Sequence, residues 1–276
     1  MGLPNIPVEY AVGGCNSMAK DKQKLIQDIF EARYEHGYRY LDRCGDTLVV
    51  LEEALPKVSR GAVWMSDEIS PKGARMKCPE HELTLVFDSA RLGLDQNPAD
   101  EPCPFSDIAD YAFQTVKSKF DIADVTRLGR RRLFIRPTDS VDEAEALSVR
   151  KAPFSQWPKV KDDQLALRSC DIAVDLEDPD RTKGIRFAIS AVHRPEAPLG
   201  LDDRLRRPPH LLAQGQREAL LEQLKRRKQR EASPVAGLLI DVDYWVIRPD
   251  EVDIQQFLRS SEEEIASVLE SFMESS

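Results

Sequence analysis

Hydrophobic and polar residues follow the same order twice along this chain. Each copy predicts two alternating strands, an amphipathic helix and a strand rich in arginine or aspartate. The first copy comprises Glu82–Phe87, Ala90–Asp95, the helix after Ser106, and Asp124–Arg136. The second comprises Leu167–Glu177, Gly184–His193, the helix after Leu212, and Gly237–Arg248. This repetition predicts an α+β fold of two pseudo-related halves, residues 1–152 and 153–276, each with antiparallel strands and a covering amphipathic helix in one compact unit.

The N-terminal segment is less regular. An apolar run predicts a strand at Val8–Val12, and Ser17 can cap a following helix. Four apolar positions in that helix follow helical spacing: Leu25, Ile26, Ile29 and Phe30. The next segment is ambiguous, because Leu48–Leu51 has the composition of a buried strand while Leu51–Leu55 can begin a short helix that Pro56 ends.

Two serines have the spacing of a capping box with a glutamate three residues later. Ser140 with Glu143 predicts a helix that runs to about Val149, and Ser261 with Glu264 predicts the start of the C-terminal helix. The buried stripe of that last helix is expected to consist of Ile265, Val268, Leu269 and Phe272.

The net charge of −9 at pH 7 argues against a general binder of nucleic acid or of membrane surfaces, although local patches can oppose the average. No apolar run is long enough to span a membrane. The five cysteines are widely spaced without a Cys-x-x-Cys pair, and the first residues lack the basic and apolar regions of a signal peptide. We therefore expect a cytoplasmic protein with reduced thiols that does not bind the membrane.

Two aspartates on a predicted strand are candidate metal ligands. Asp241 and Asp243 are two positions apart, so both side chains point to one face. Paired carboxylates of this kind could hold Mg²⁺ or Mn²⁺, which a third ligand and a substrate phosphate would complete. Aspartates on the solvent face of a strand also pair with arginines, and that structural interpretation is the favoured one.

Five arginines form the densest basic stretch on a predicted strand: Arg127, Arg130, Arg131, Arg132 and Arg136. Alternation places Arg130, Arg132 and Arg136 on one face and the other two on the opposite face. They could clamp phosphates or contact a partner, or they could pair with aspartates across the sheet. If the halves are related, this strand and Leu238–Arg248 are neighbours. We therefore favour an internal charge network.

A second basic tract ends the helix predicted after Leu212, and it consists of Lys225, Arg226, Arg227, Lys228 and Arg230. Cations at this position favour the negative end of the helix dipole. The tract could also contact nucleic-acid phosphates, although no aromatic residues are interleaved for base stacking.

Other sequence motifs of catalysis or cofactor binding are not found. Cys78 and His81 have the spacing of half a zinc site, but no second pair of ligands follows. Walker loops, Gly-x-Gly-x-x-Gly and Gly-x-Ser-x-Gly do not occur either. No cofactor is predicted, with Mg²⁺ or Mn²⁺ belonging only to the alternative interpretation of the aspartates.

Three short motifs resemble a sporadically distributed family of uncharacterised bacterial proteins of about this length. Pro7-Val8-Glu9-Tyr10 is similar to its Pro-x-Val-Glu opening strand, and residues 127–131 are similar to its Arg-x-Gly-x-Arg strand. Leu238–Asp243 with the helix that follows resembles its Asp-x-Asp strand and C-terminal helix. The resemblance implies an α+β bacterial cytoplasmic protein and does not imply an enzyme.

These observations favour a non-enzymatic binding or regulatory protein that acts through a protein partner, as a subunit of a complex. Two alternatives remain open. One is a metal-dependent phosphodiesterase or nuclease-like enzyme that uses Asp241 and Asp243. The other is a nucleic-acid-binding component of a larger complex.

Overall fold

A computed structural model describes residues 23–35, 37–97, 102–150, 171–194 and 235–274 of the chain. The described helices are α1 (Tyr40–Val58), α2 (Phe105–Phe120), α3 (Val141–Arg150) and α4 (Ile254–Glu274). The described strands are β1 (Lys24–Tyr34), β2 (Met65–Ser70), β3 (Gly73–Cys78), β4 (Leu83–Phe87), β5 (Arg91–Gln96), β6 (Val125–Thr138), β7 (Ile172–Glu177), β8 (Lys183–Arg194) and β9 (Val235–Ile247).

All nine strands belong to one antiparallel sheet, in the order β2-β3-β4-β5-β1-β6-β9-β8-β7. The predicted α+β fold is therefore confirmed. The third strands of the two predicted copies, β6 and β9, are direct neighbours, as expected. The copies differ in one respect, because β1 lies between β5 and β6 whereas β8 and β9 pair directly.

The hydrophobic core lies between the sheet and its helices. Buried and less buried residues alternate along β3, β4 and β5, as expected for strands with one covered face. Their buried residues join apolar residues of α1, α2 and α4 in one cluster that includes Phe30, Leu51, Leu85, Phe113 and Leu258. Helix α3 packs separately against β8 and β9.

The segment that predicted a helix after Ser17 is strand β1 in its described part, so this prediction is wrong. Its buried positions are Asp28, Phe30, Ala32 and Tyr34, which alternate with a period of two. The polar Asp28 interrupts the apolar alternation in the sequence. Pairing with β5 and β6 on either side then determines the conformation.

The segment Leu48–Leu51 is helical and not a strand. Leu48, Leu51 and Leu55 are buried on one face of α1, at the i, i+3 and i+7 spacing of an amphipathic helix. Pro56 lies inside α1 and does not end it, because the helix continues to Val58.

At one of the two predicted capping boxes the serine cap is present, and the glutamate accepts from the residue before the serine. The Glu143 N–H donates to Ser140 Oγ (3.2 Å), and the Glu143 carboxylate accepts from the Asp139 N–H (2.8 Å). The box at Ser261 is wrong, because α4 begins at Ile254 and Ser261 is buried inside it. Asp253 Oδ1 accepts from the Gln256 N–H (2.8 Å) at the observed start.

Several predicted features lie outside the described residues. They are the strand Val8–Val12, the Ser17 cap, the helix after Leu212 and the first residues of the Leu167–Glu177 segment.

Candidate functional site

The arginines of β6 divide between the two faces of the sheet. Arg130 and Arg132 point towards α4, whereas Arg127 and Arg131 point to the opposite face, which we call the polar face. The sequence predicted this division. Arg136 lies further along β6, opposite Leu238 and half-buried.

Arg130 forms a buried bidentate ion pair with Asp28 of β1. Arg130 Nε and Nη2 donate to the two carboxylate oxygens at 3.0 and 2.8 Å, and both side chains are only 4% exposed. Arg130 Nη1 also donates to the Leu258 carbonyl of α4 (2.7 Å). Arg132 joins the same cluster through Asp28 Oδ2 (2.9 Å) and Glu262 Oε1 (3.1 Å). This cluster joins β1, β6 and α4, so Arg130 has a structural role.

The polar face carries a second, more exposed charge network. Arg131 pairs with Asp241 (Nε–Oδ1 2.8 Å). Arg127 donates to Asp243 Oδ2 (3.1 Å) and to Glu31 Oε1 (3.2 Å), and its guanidinium lies 6.0 Å from the centroid of the Trp245 ring. The predicted internal network between the basic and the acidic strand is therefore present.

These pairs determine what the two candidate metal ligands can do. Burial raises the pKa of the Asp243 carboxyl above its usual value, and the neighbouring Arg127 guanidinium partly offsets that rise. A cation would have to displace guanidinium groups from Asp241 and Asp243. Within the ranges that the structure describes, no three histidine, cysteine, aspartate or glutamate side chains are grouped to hold a metal. Metal binding at the two aspartates stays a prediction.

The other candidate residues from the sequence are the Cys78–His81 pair, the remaining thiols and the second basic tract. Cys78 and His81 are both buried, and His81 Nε2 lies 3.3 Å from the Ser59 carbonyl. Burial raises the pKa of the Cys78 thiol to about 12 and that of Cys103 to about 11, so neither is an activated thiolate. The basic tract at residues 225–230 lies outside the described residues.

The two edges of the sheet differ in their protection. A register shift interrupts β2 between Ser66 and Glu68. The Ser66 N–H donates to the carboxylate of Glu52 on α1 (3.1 Å), so a side chain occupies this backbone group. Bulges and covering groups of this kind prevent another strand from pairing with an edge.

Strand β7, at the other edge, has neither feature within the described ranges. Its six residues pair with β8 without a register shift, and all but Ile172 are exposed. Val174 and Leu176 are 40% and 52% exposed on one face of this strand. The sequence predicted the strand but not its position at an edge.

One hydrogen bond indicates which backbone groups of β7 point away from the sheet. The Asp178 N–H donates to the Lys183 carbonyl of β8 (3.1 Å). Backbone groups alternate in direction along an antiparallel strand, so Leu176 and Val174 also bond to β8. Ala173, Asp175 and Glu177 therefore direct their N–H and C=O groups away from the sheet.

A shallow cleft of about 200 Å³ lies beside this edge on the polar face. The small residues Ala173, Ala188 and Ser190 form its floor. Ala173 of β7 lies opposite Ala188 of β8, and Ala188 and Ser190 lie opposite residues of β9, so these side chains share one face of the sheet. The carboxylates of Asp171 and Asp241 border it. The cleft is an extension of the β7 edge towards the centre of the sheet.

The described helices include none with the length and apolar character needed to cross a membrane.

Comparison with known proteins does not assign the chain to a family. No model of a known family matches the sequence, and no curated protein matches it. The similarity to the bacterial family with the Arg-x-Gly-x-Arg and Asp-x-Asp strands stays a prediction.

Proposed function

We propose that this chain is a non-enzymatic binding or regulatory protein of the bacterial cytoplasm, and that its protein partner adds an extended segment to the outer edge of β7. One observation carries the proposal. Among the described strands, β7 is a regular edge strand with exposed residues, including the apolar Val174 and Leu176. Strand addition to an open edge is a recurring mode of peptide recognition.

The energetics of strand addition indicate how such a partner is held. Ala173, Asp175 and Glu177 offer three N–H and three C=O groups, and each hydrogen bond contributes about 0.5–1.5 kcal/mol net. Ordering a segment of similar length costs about 1–2 kcal/mol per residue. The ordering cost is at least as large as the hydrogen-bond contribution, so contacts of the side chains with Val174, Leu176 and the neighbouring carboxylates determine the affinity.

The cytoplasmic location belongs to the same proposal. The described cysteines Cys44, Cys78 and Cys103 are free thiols, and the first two are buried. Free thiols of this kind are typical of a reducing compartment.

Ala173→Pro tests the proposal without a change of charge. Because the Ala173 N–H points outward, proline removes a donor for an incoming strand and leaves the bonds between β7 and β8 intact. We would select peptides from a displayed random ten-residue library on the immobilised chain. Ala173→Ser, which keeps the N–H, is the matched control.

The proposal predicts that selected peptides bind the wild type and Ala173→Ser alike and bind Ala173→Pro at least about tenfold more weakly, since a strand cannot pair with a proline edge. Equal binding to all three, or no enrichment over an albumin-coated surface, would overturn it. Hydrogen exchange of the wild type provides a readout that does not depend on the folding of the variant. Protection gained at residues 171–177 supports strand addition, and protection gained only elsewhere contradicts it.

A further inference from the structure

The charged side chains of the edge strand are all acidic. The segment from Asp171 to Glu177 carries three carboxylates and no basic side chain. On the basis of the proposed strand addition, we infer that the partner segment is an alternating strand, basic on one face and apolar on the other, and that it is not a second copy of this chain.

The apolar face of the partner would continue the core of this protein. Val174 and Leu176 lie opposite Phe187 and Ile185 of β8, which are buried. The Phe187 ring in turn packs against Phe272 of α4, with 4.9 Å between the ring centroids. Apolar side chains on a strand added beside β7 would cover Val174 and Leu176 and extend this layer by one strand.

The other face of β7 meets the cleft and its carboxylates. Ala173 and Asp175 point to this face, and the cleft floor at Ala188 is one strand spacing, about 4.8 Å, further in. The aliphatic stem of a lysine or arginine can lie over the small floor residues, with its charged end close to the exposed Asp175 carboxylate. Asp171 and Asp175 lie nearest to the edge.

Within the described residues, the charges of β7 are only weakly compensated. Asp175 lies 3.6 Å from Arg186, and Glu177 lies 3.6 Å from Arg181, with all four side chains at least 41% exposed. Exposed pairs of this kind contribute about 0–1 kcal/mol. A basic side chain from a partner can therefore add to or replace these contacts at little cost.

Pairing of β7 with a second copy is opposed by the same carboxylates. A two-fold pair centred on Asp175 places the two Asp175 side chains directly opposite each other. Centring the pair on Val174 opposes Asp171 to Glu177, and centring it on Leu176 opposes Asp175 to Glu177. Like charges directly opposite each other destabilise a strand pair. Each register therefore disfavours self-pairing and favours a basic partner.

Three capped eight-residue peptides test the partner chemistry by fluorescence anisotropy with the full chain. The first alternates valine and lysine, the second alternates valine and glutamate, and the third has the composition of the first with its lysines in one block. We expect the first to bind at least about tenfold more tightly than the other two, because only an alternating valine–lysine strand has one apolar face and one basic face. Its affinity should fall as salt is raised from 50 to about 300 mM.

The variant Asp175→Asn with Glu177→Gln keeps every backbone N–H and removes two charges. The affinity of this variant for the valine–lysine peptide should be at least about threefold lower than that of the wild type, because each exposed ion pair contributes a fraction of a kcal/mol. Tight binding of the valine–glutamate peptide, or no effect of salt and of the variant, would overturn the basic-partner inference. If Ala173→Pro abolishes the binding of whichever peptide binds in that case, the proposal of strand addition stands although the inference of a basic partner fails. A dimer in sedimentation that Ala173→Pro dissociates would show a second copy as the occupant and would also overturn the inference.

Discussion

The buried pair of Arg130 and Asp28 predicts an unequal response to single and double substitution. Removing one partner of a buried ion pair costs about 3–5 kcal/mol, because the other charge stays buried without compensation. Asp28→Leu leaves two guanidinium groups, those of Arg130 and Arg132, around an apolar side chain. Arg130→Met leaves Asp28 with Arg132 as its remaining partner. We therefore expect the larger loss for Asp28→Leu, near 5 kcal/mol, and a loss nearer 3 kcal/mol for Arg130→Met.

The double variant Asp28→Leu with Arg130→Met removes both charges and fills a similar volume. Its free energy of unfolding should lie closer to that of the wild type than either single variant does, because replacing both partners of a buried pair is often neutral. Urea unfolding followed by circular dichroism gives these free energies. Asp241→Asn is the control, since its pair with Arg131 is more exposed and should contribute about 0–1 kcal/mol. Losses under about 1 kcal/mol for both single variants, or additive losses in the double variant, would refute the reasoning.

Two further predictions concern stability. A Cβ added to Gly45 of α1 meets no atom within 4 Å, so Gly45→Ala should raise the free energy of unfolding by about 0.5–1 kcal/mol; a lower urea midpoint would contradict this. The Cys78 thiol has a pKa of about 12 in the folded protein against an ordinary value of 9.0. The unfolded chain releases this proton first as pH rises, so the stabilising contribution is present below pH 9.0 and is lost between about pH 9 and 12. The urea midpoint should fall over that range, and less steeply in Cys78→Ala; identical slopes in both proteins would exclude the thiol as a cause.

Local sequence patterns were sufficient to predict the elements whose signal lies within their own residues. The strand alternation of β4, β5, β8 and β9 predicted those strands, and the Ser140 box predicted the start of α3. The opposite charges of β6 and β9 predicted their pairing. In each case the signal lies within a few residues, or in the equivalence of the two copies.

The remaining features depend on contacts between distant segments. Nothing in the sequence near Asp28 indicates that Arg130, 102 residues away, compensates its charge. The same contact explains why β1 is a strand with a buried carboxylate. The exposed edge at β7 is also non-local, because only the order of strands in the sheet decides which strand has an open side.

The position of β1 has a consequence for synthesis on the ribosome. Strand β1 leaves the ribosome before its neighbours β5 and β6, and Arg130 follows Asp28 by 102 residues. At about 5–20 residues per second, the Asp28 carboxylate waits roughly 5–20 s for its partner. Leu258 of α4 comes another 128 residues after Arg130. The hairpins from β2 to β5 can form during this interval, but the centre of the sheet cannot close. The nascent chain thus exposes an edge of its central strand until β6 has been made, which makes this strand a natural site for a chaperone to bind.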